Sequence, residues 1–321
     1  MTPGRTLTVR VARIVRQTPE VRAFELVHPW GRELPGYEAG AHIDVHTPGG
    51  FLRTYSLACA PPAEGPVTRY VIGVKREPAS RGGSAALHER VREGDLLAIG
   101  SPRNSFPLAS DARRTLLLAG GIGLTPLLAM AQTLARRGAD FTLAVFARGR
   151  RELAFADELA ALGPRVWLHF DDPAAPEKLD LPTLIGPPAT ETHLFLCGPA
   201  GFMRAARDAA MAWSDDAVHV EYFAPPAAAE GEGADEPFTL RLARRGITVS
   251  VASDQSAVQA LHELGIDIPV SCEQGVCGTC VVPWTAGTPE HRDFCLSATE
   301  RCHKVALCCA RARGGALTLD L

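Results

Sequence analysis

Ten residues constrain this chain more than any others: Ser271-Cys272-Glu273-Gln274-Gly275-Val276-Cys277-Gly278-Thr279-Cys280. Three cysteines in a C-x4-C-x2-C run, joined by a fourth from further along the chain, have the ligand spacing of a [2Fe–2S] cluster. Such a loop wraps the cluster with backbone N–H groups aimed at the sulfurs. Gly275 and Gly278 suit it, because glycine meets no Cβ penalty at positive φ. Structural zinc and a metal-free cysteine cluster are the competing readings. Zinc sites pair two short cysteine knuckles, or a cysteine pair with a histidine pair, and one compact triplet fits that poorly. Cys308 and Cys309 both stand where a fourth ligand is needed, and the spacing leaves the two open.

A chain of 321 residues exceeds one ordinary domain and predicts two or three. Its 46% hydrophobic and 21% charged residues can bury real cores. A net charge of −3 with no basic stripe argues against nucleic acid as a partner. No run of about eighteen apolar residues marks a membrane span, and Met1-Thr2-Pro3-Gly4-Arg5 lacks the apolar segment of a secretory signal. The expectation is a cytoplasmic protein, away from membranes, whose nine cysteines serve metal or redox chemistry and not a disulfide frame.

Three textures follow one another along the chain. From Leu7 to about Pro107, short alternating runs such as Leu7–Val11, Val21–Leu26 and His42–His46 are punctuated by turns, with Tyr70–Val74 as a more buried strand and one helix over Ala85–Val91. This pattern predicts a small antiparallel barrel. From Thr115, buried apolar strands (Leu116–Ala119, Phe141–Phe146, Arg165–His169, His193–Cys197, His219–Phe223) alternate with helices over 125–137, 157–162, 178–185 and 200–213. Alternation of that kind predicts a doubly wound α/β parallel sheet. An Ala/Pro/Glu/Gly-rich linker follows. Strands at 238–243 and 247–252, a helix at 257–264, the cysteine loop, a short helix near 297–301 and strands at 305–307 and 317–319 then predict a compact α+β domain. The expected boundaries are 1–109, 110–225, a linker at 226–236, and 237–321.

Each region carries a motif. Arg53-Thr54-Tyr55-Ser56-Leu57 offers a guanidinium for a phosphate, with an aromatic and a hydroxyl that can flank an isoalloxazine ring; a surface arginine beside a core tyrosine is the plainer alternative. Arg81-Gly82-Gly83-Ser84 precedes a helix, where free N–H groups and the helix dipole attract anions. Gly120-Gly121-Ile122-Gly123-Leu124-Thr125-Pro126 is a strand, a glycine turn and a helix start, suited to a pyrophosphate, though it is not a GxGxxG fingerprint. Cys197-Gly198-Pro199 ends another strand of the same sheet, on the side where open α/β sheets bind ligands.

Taken with Pro102-Arg103-Asn104-Ser105-Phe106-Pro107-Leu108 and Glu221-Tyr222-Phe223, these motifs resemble, over essentially the full length, the phthalate dioxygenase reductase type of protein, a family that includes vanillate demethylase reductases. The resemblance implies a ferredoxin–NADP reductase-like flavin barrel, a nicotinamide domain and a β-grasp domain of the plant-type ferredoxin kind, fused in that order. It implies FMN, held by Arg53, Thr54, Tyr55 and Ser56, lined by Ile72, Gly73 and Val74, with its phosphate at Gly82, Gly83 and Ser84, Thr125 near the ring and Phe223 stacking beside it. It implies NADH at Gly120, Gly121, Ile122, Gly123, Pro126, Arg148, Cys197, Gly198 and Pro199. It assigns the cluster to Cys272, Cys277, Cys280 and, by likeness to the family's ending, Cys308. Cys59, Cys295 and Cys302 are left as free thiols, and His291 and His303 as surface residues.

The implied activity is that of an NADH-dependent flavin and iron–sulfur oxidoreductase, the reductase component of a Rieske-type oxygenase or demethylase. Hydride from NADH reaches the flavin, and single electrons leave through the cluster for a separate Rieske non-haem iron oxygenase. The chain has no Rieske Cys/His pairs and no facial-triad pattern of its own. Arg148, Arg150 and Arg151 could meet a 2′-phosphate, whereas Asp171 and Asp172 would repel one. The alternative is a stand-alone NAD(P)H-dependent flavin and iron–sulfur reductase serving another acceptor. A monomer is expected, with Glu273, Gln274 and Val276 on the docking face.

Overall fold

The computed structural model describes residues 6–77, 82–174, 178–225 and 235–321. Arg81 and the linker, apart from Asp235 and Glu236, lie outside them. Internal contacts divide the chain into two compact units, Met1–Glu221 and Tyr222–Leu321.

The first unit opens with a six-stranded antiparallel sheet formed by β1 (Thr6–Arg16), β2 (Val21–Val27), β3 (His42–Thr47), β4 (Phe51–Ser56), β5 (Arg69–Lys75) and β6 (Leu96–Gly100). Their order is β4-β3-β6-β1-β2-β5. A bridge between Leu57 and Ile72 brings the two edges together and nearly closes the sheet into a barrel. Period-two alternation explains the core: Val9 and Val11, Phe24 and Leu26, Ile43 and Val45, and Tyr70, Ile72 and Val74 all point inward. Helix α1 (Gly83–Arg90) adds Leu87 to that core. Strand β6 had no expected counterpart; its Leu-Leu-Ala-Ile-Gly is short and carries no period-two alternation of apolar and polar residues.

The same unit continues into five parallel strands, β7 (Arg114–Gly120), β8 (Asp140–Ala147), β9 (Val166–Phe170), β10 (Thr192–Cys197) and β11 (Val218–Glu221), in the order β11-β10-β7-β8-β9. Helices α2 (Leu124–Arg136), α3 (Ala156–Ala161), α4 (Leu181–Ile185) and α5 (Ala200–Ala209) connect them. The order reverses between β7 and β10, so the carboxyl ends of those two strands form the switch-point crevice of a doubly wound sheet. Strand β10 is buried along its whole length, as a central parallel strand should be. Helix α4 is shorter than expected, because Asp180 caps it by accepting the Thr183 N–H at 3.0 Å.

The second unit holds β12 (Phe238–Leu242), β13 (Ile247–Val251), α6 (Ala257–Glu263), β14 (Val281–Glu290), α7 (Ala298–Arg301), β15 (Lys304–Ala306) and β16 (Arg311–Leu319). The sheet order is β13-β12-β16-β14-β15, with β12 and β16 parallel and the other pairs antiparallel, a β-grasp. Ser256 and Gln259 form a reciprocal capping box that starts α6. Strand β14 was not expected. Pro283, Gly287 and Pro289 break its pattern, and two register shifts against β16 accommodate them. Arg311 is buried, and its two terminal nitrogens donate to the carbonyls of Gln255, Glu236 and Ala252 at 2.7, 2.7 and 3.0 Å, while its Nε has no hydrogen-bond partner among the described residues. Among the described residues no helix is long and apolar enough to cross a membrane.

Candidate active site and cluster loop

The start of α1 is prepared for an anion. Gly82 precedes it at φ 103°, no side chain caps it, and its first turn holds no acid. The positive end of its dipole therefore meets no acid within its own first turn. Arg53 crosses this point: a Cβ on Gly83 would stand 2.7 Å from Arg53 Cγ, so only glycine lets the arginine stem pass. The guanidinium lies 5.1 Å over the Phe51 ring and donates to Leu52 O at 2.7 Å. Tyr55 shares that face of β4 and packs on the barrel core, and burial pushes its hydroxyl well above the usual phenol range. Thr54 and Ser56 face the other way. Thr54 Oγ1 donates to Asp44 Oδ1 at 2.8 Å, and Arg103 holds the second Asp44 oxygen at 2.7 Å. Ile72 and Val74 are fully buried inside the barrel, the Val74 carbonyl lying 2.9 Å from His88 Nε2, so neither presents surface to a ligand. Gly73 turns outward, where a Cβ would lie 2.7 Å from Thr125 Cγ2, and this bare position lets the start of α2 sit against β5. The Arg53 guanidinium beside the uncapped start of α1 fits the phosphate of a flavin nucleotide.

At the switch point the two glycine turns pack on each other. A Cβ on Gly123 would collide with the Cys197 carbonyl, one on Gly120 would meet Pro199 Cδ at 2.8 Å, and one on Gly198 would meet Phe202 at 2.6 Å. These three glycines thus serve turn-on-turn contact. Gly121 alone of the set faces open space, at φ 52°. Thr125 Oγ1 donates to Ile122 O at 3.1 Å, and Pro126 is buried in the first turn of α2. Arg148 is exposed at the end of β8, and its carbonyl accepts the Asp172 N–H at 3.0 Å, which sets Asp171 and Asp172 beside it.

Barrel and parallel sheet meet through side chains. Ser56 Oγ donates to Glu221 Oε2 at 3.2 Å. Glu221 ends β11 in register with Cys197 at the end of β10. Burial pushes the Glu221 carboxyl up to about 8, with the Ser56 hydrogen bond opposing. Burial, and then the neighbouring Glu221, push the Cys197 thiol well above its ordinary range. An uncharged carboxyl, a thiol and a hydroxyl therefore line the junction at neutral pH. Phe223 belongs to the second unit and its side chain is 43% exposed.

In the second unit the cysteine loop folds back on itself. Gln274 N–H donates to Cys272 Sγ and Gly275 N–H to Cys308 Sγ, each at 3.3 Å, while Cys277 Sγ lies 3.1 Å from Thr279 Oγ1. The Cys272–Cys277, Cys272–Cys308 and Cys280–Cys308 pairs are within hydrogen-bonding reach, these thiols standing where a cluster's thiolates belong. Cys309 Sγ turns to the Ala306 carbonyl at 3.7 Å, and stands 2.8 Å from where a Gly275 Cβ would be. No three described His, Cys, Asp or Glu side chains converge on one ion position; a binuclear centre takes two protein ligands per iron, and needs pairs. Four sulfurs linked through three close pairs, with backbone N–H groups on two of them, fit a [2Fe–2S] cluster. Cys295 also lies near this loop, 3.9 Å from a would-be Gly278 Cβ. His291 is not a surface residue: its side chain is 15% exposed and Nδ1 is 3.4 Å from the fully buried Asp293 carboxylate.

A family model described as "2Fe-2S iron-sulfur cluster binding domain" matches residues 240–313. Over 319 residues, 98% of each chain, the sequence is 44% identical to the vanillate O-demethylase oxidoreductase of Pseudomonas sp. (strain HR199 / DSM 7063). The chain belongs to the family of these oxygenase and demethylase reductases. The solved phthalate dioxygenase reductase, described as a modular structure for electron transfer from pyridine nucleotides to [2Fe-2S], matches 98% of both chains at 34% identity and a TM-score of 0.71. An intact type IV self-sufficient cytochrome P450 monooxygenase matches with a TM-score of 0.91 and 37% identity, over 98% of this chain and 41% of that one. A member of this family is an oxidoreductase built on a flavin, a nicotinamide nucleotide and a [2Fe–2S] cluster. Sequence reading had given Glu221 no role. The available signal was an acid closing an edge strand directly beside the Cys197 turn.

Proposed function

We propose that this chain is the reductase component of a Rieske-type oxygenase or demethylase, taking hydride from NADH onto FMN and releasing single electrons through its [2Fe–2S] cluster to a separate oxygenase. The observation that carries the reading is the Ser56–Glu221–Cys197 junction, which joins the flavin strand to the switch point where a nicotinamide would enter. A bound flavin supplies the conversion between two-electron hydride chemistry and one-electron transfer. The chain's own residues bind and orient. Arg53, Ser84 and the start of α1 take the phosphate. Tyr55 flanks the ring, and Ser56 ties the same strand to Glu221. The Cys197 turn and Gly121 receive the nucleotide, and the uncharged Glu221 holds a proton on its carboxyl next to Ser56. Phe223 is assigned to the ring's neighbourhood on the family pattern. Asp171 and Asp172 beside Arg148 favour a 2′-hydroxyl over a 2′-phosphate, hence NADH. Cys272, Cys277, Cys280 and Cys308 bind the cluster, whose exposed surround includes Glu273 and Gln274. The catalytic metal of the oxygenation resides in the partner, since this sequence holds no pattern for it, and the reductase is placed in the cytoplasm as a monomer.

The test is anaerobic mixing of purified protein with NADH or NADPH, with and without a Rieske oxygenase. NADH should bleach the visible bands faster than NADPH at equal concentration, and added oxygenase should restore them in step with reduction of its Rieske centre. Equal rates with both nucleotides would remove the NADH assignment. Rapid bleaching with no transfer to any Rieske protein would instead favour a stand-alone reductase.

A further inference from the structure

The sheet register places an unexpected set of charges on the outer wall of the barrel. Before Ala12, Arg10 lies opposite Val27 and Val11 opposite Leu26; after it, Arg13 lies opposite Glu25 and Ile14 opposite Phe24. Residues three apart face opposite sides of a regular strand. The bulge at Ala12 keeps Val11 in the barrel core and turns both Arg10 and Arg13 outward, the way bulges re-aim side chains near binding sites.

That wall borders a cleft of about 670 Å³, closed on its other side by α2 and the start of α3. Its floor is apolar: Val15, Ala23, Ala58 and Val71. Its polar groups are mostly donors. Gln17 Oε1 accepts the Phe155 N–H at 2.9 Å and Gln132 Oε1 the Ala60 N–H at 2.8 Å, so each amide is left with its NH₂ group to offer. Arg13, Arg16 and Arg136 also line the cleft, and no ion pair engages Arg13 or Arg16 among the described residues. Three carboxylates are present. Glu25 is held by Arg69 at 3.1 Å, while Asp157 and Glu158 belong to the α3 wall. The Tyr37 hydroxyl donates to Cys59 O at 2.9 Å, and burial pushes both that hydroxyl and the Cys59 thiol up, so neither adds negative charge. A second hollow of about 260 Å³ shares Glu25, Thr68 and Arg69 with the first and adds Arg10 and Arg32. None of Arg53, Ser56, Ser84, Cys197 or Glu221 lines either space.

We propose that this cleft binds a small organic monoanion, its carboxylate on Arg13 and the Gln17 amide, which share one face of β1 and its continuation with Val15, and its apolar body on Val15, Ala23 and Val71. The space is of the size that holds small ligands, about 300–1,000 Å³. A neutral apolar molecule leaves the Arg13 guanidinium unanswered. An inorganic anion leaves the floor uncovered. A carboxylate on an apolar frame satisfies both, with bidentate arginine geometry available at its head.

Calorimetric titration of the holoprotein at fixed ionic strength tests this with four probes: benzoate, hexanoate, sulfate and benzyl alcohol. Benzoate and hexanoate should bind saturably, one per chain, and sulfate and benzyl alcohol at least about tenfold more weakly. Arg13→Glu and Gln17→Glu should each weaken benzoate at least about tenfold, with the visible spectrum unchanged as the check on folding. Three results each overturn the proposal: no saturable heat with either carboxylate up to about 10 mM, sulfate binding as tightly as benzoate, or benzoate affinity untouched in both folded variants.

Discussion

In the cluster loop, the groups that hold the sulfurs come mostly from the loop itself: the Gln274 N–H on Cys272, the Gly275 N–H on Cys308 and the Thr279 hydroxyl by Cys277. At the junction of barrel and parallel sheet, Ser56 and Glu221 are 165 positions apart and meet only because the two sheets of the first unit pack against each other. The loop depends on backbone conformation and four particular sulfurs. The junction depends on close-packed turns that leave no room for a Cβ. One site should therefore fail locally and alone, while the other should fail with changes that never touch a reacting group.

The largest expected effect separates the two adjacent cysteines. Cys308→Ser should abolish the cluster, seen as loss of iron and of the iron–sulfur bands, while NADH still bleaches the flavin; Cys309→Ser should retain both. Loss of cluster in the Cys309 variant only would reassign the fourth ligand and weaken the loop's side of the comparison.

Next is Gly123→Ala. The new Cβ collides with the Cys197 carbonyl and shifts one turn against the other. Misplacement by about 1 Å can cost about a hundredfold in rate, so stopped-flow flavin reduction by NADH should slow by that order with the iron content unchanged. Reduction at the wild-type rate would show that the turns tolerate separation.

Glu221→Gln is expected to act more gently, and through pH. A carboxyl raised to about 8 in the fold keeps a proton that the unfolded chain releases near 4.5. The native state then binds more protons than the unfolded state between those values, so stability falls as pH rises across that window. Urea midpoints of the apoprotein at pH 5 and pH 8 should differ in the wild type, with pH 5 the more stable, and the glutamine variant should reduce that difference. An undiminished difference would place the proton elsewhere.

The smallest effect is a control within the second unit. Ser256→Ala removes one half of the capping box on α6 and should cost about 1 kcal/mol by denaturant unfolding, leaving cluster spectrum and flavin reduction unchanged.

The cluster loop was legible because its ten residues are consecutive, and the spacing of three cysteines states most of its chemistry. The barrel was legible from alternation, and the parallel sheet from buried apolar runs ending in glycine turns. Strand β14 was hidden because Pro283, Gly287 and Pro289 carry no strand pattern, and its place is set by pairing with β16. Glu221 stood in plain sight at the end of β11, but nothing along the chain says that this end reaches Ser56. Gly120, Gly123 and Gly198 suggested room for a pyrophosphate; the structure spends that room on packing. The bulge at Ala12 leaves the alternation of its neighbours readable while changing which arginines share a face, so the cleft beside it had no signature in sequence.

The central claim is that electrons pass from nucleotide to flavin to cluster within this one chain. An anaerobic NADH titration of holoprotein and of flavin-stripped protein, followed by visible absorption and electron paramagnetic resonance, tests it most directly. The account predicts a reduced-cluster signal in the holoprotein and none in the stripped protein until FMN is restored. A reduced cluster appearing with NADH in the absence of flavin would contradict it.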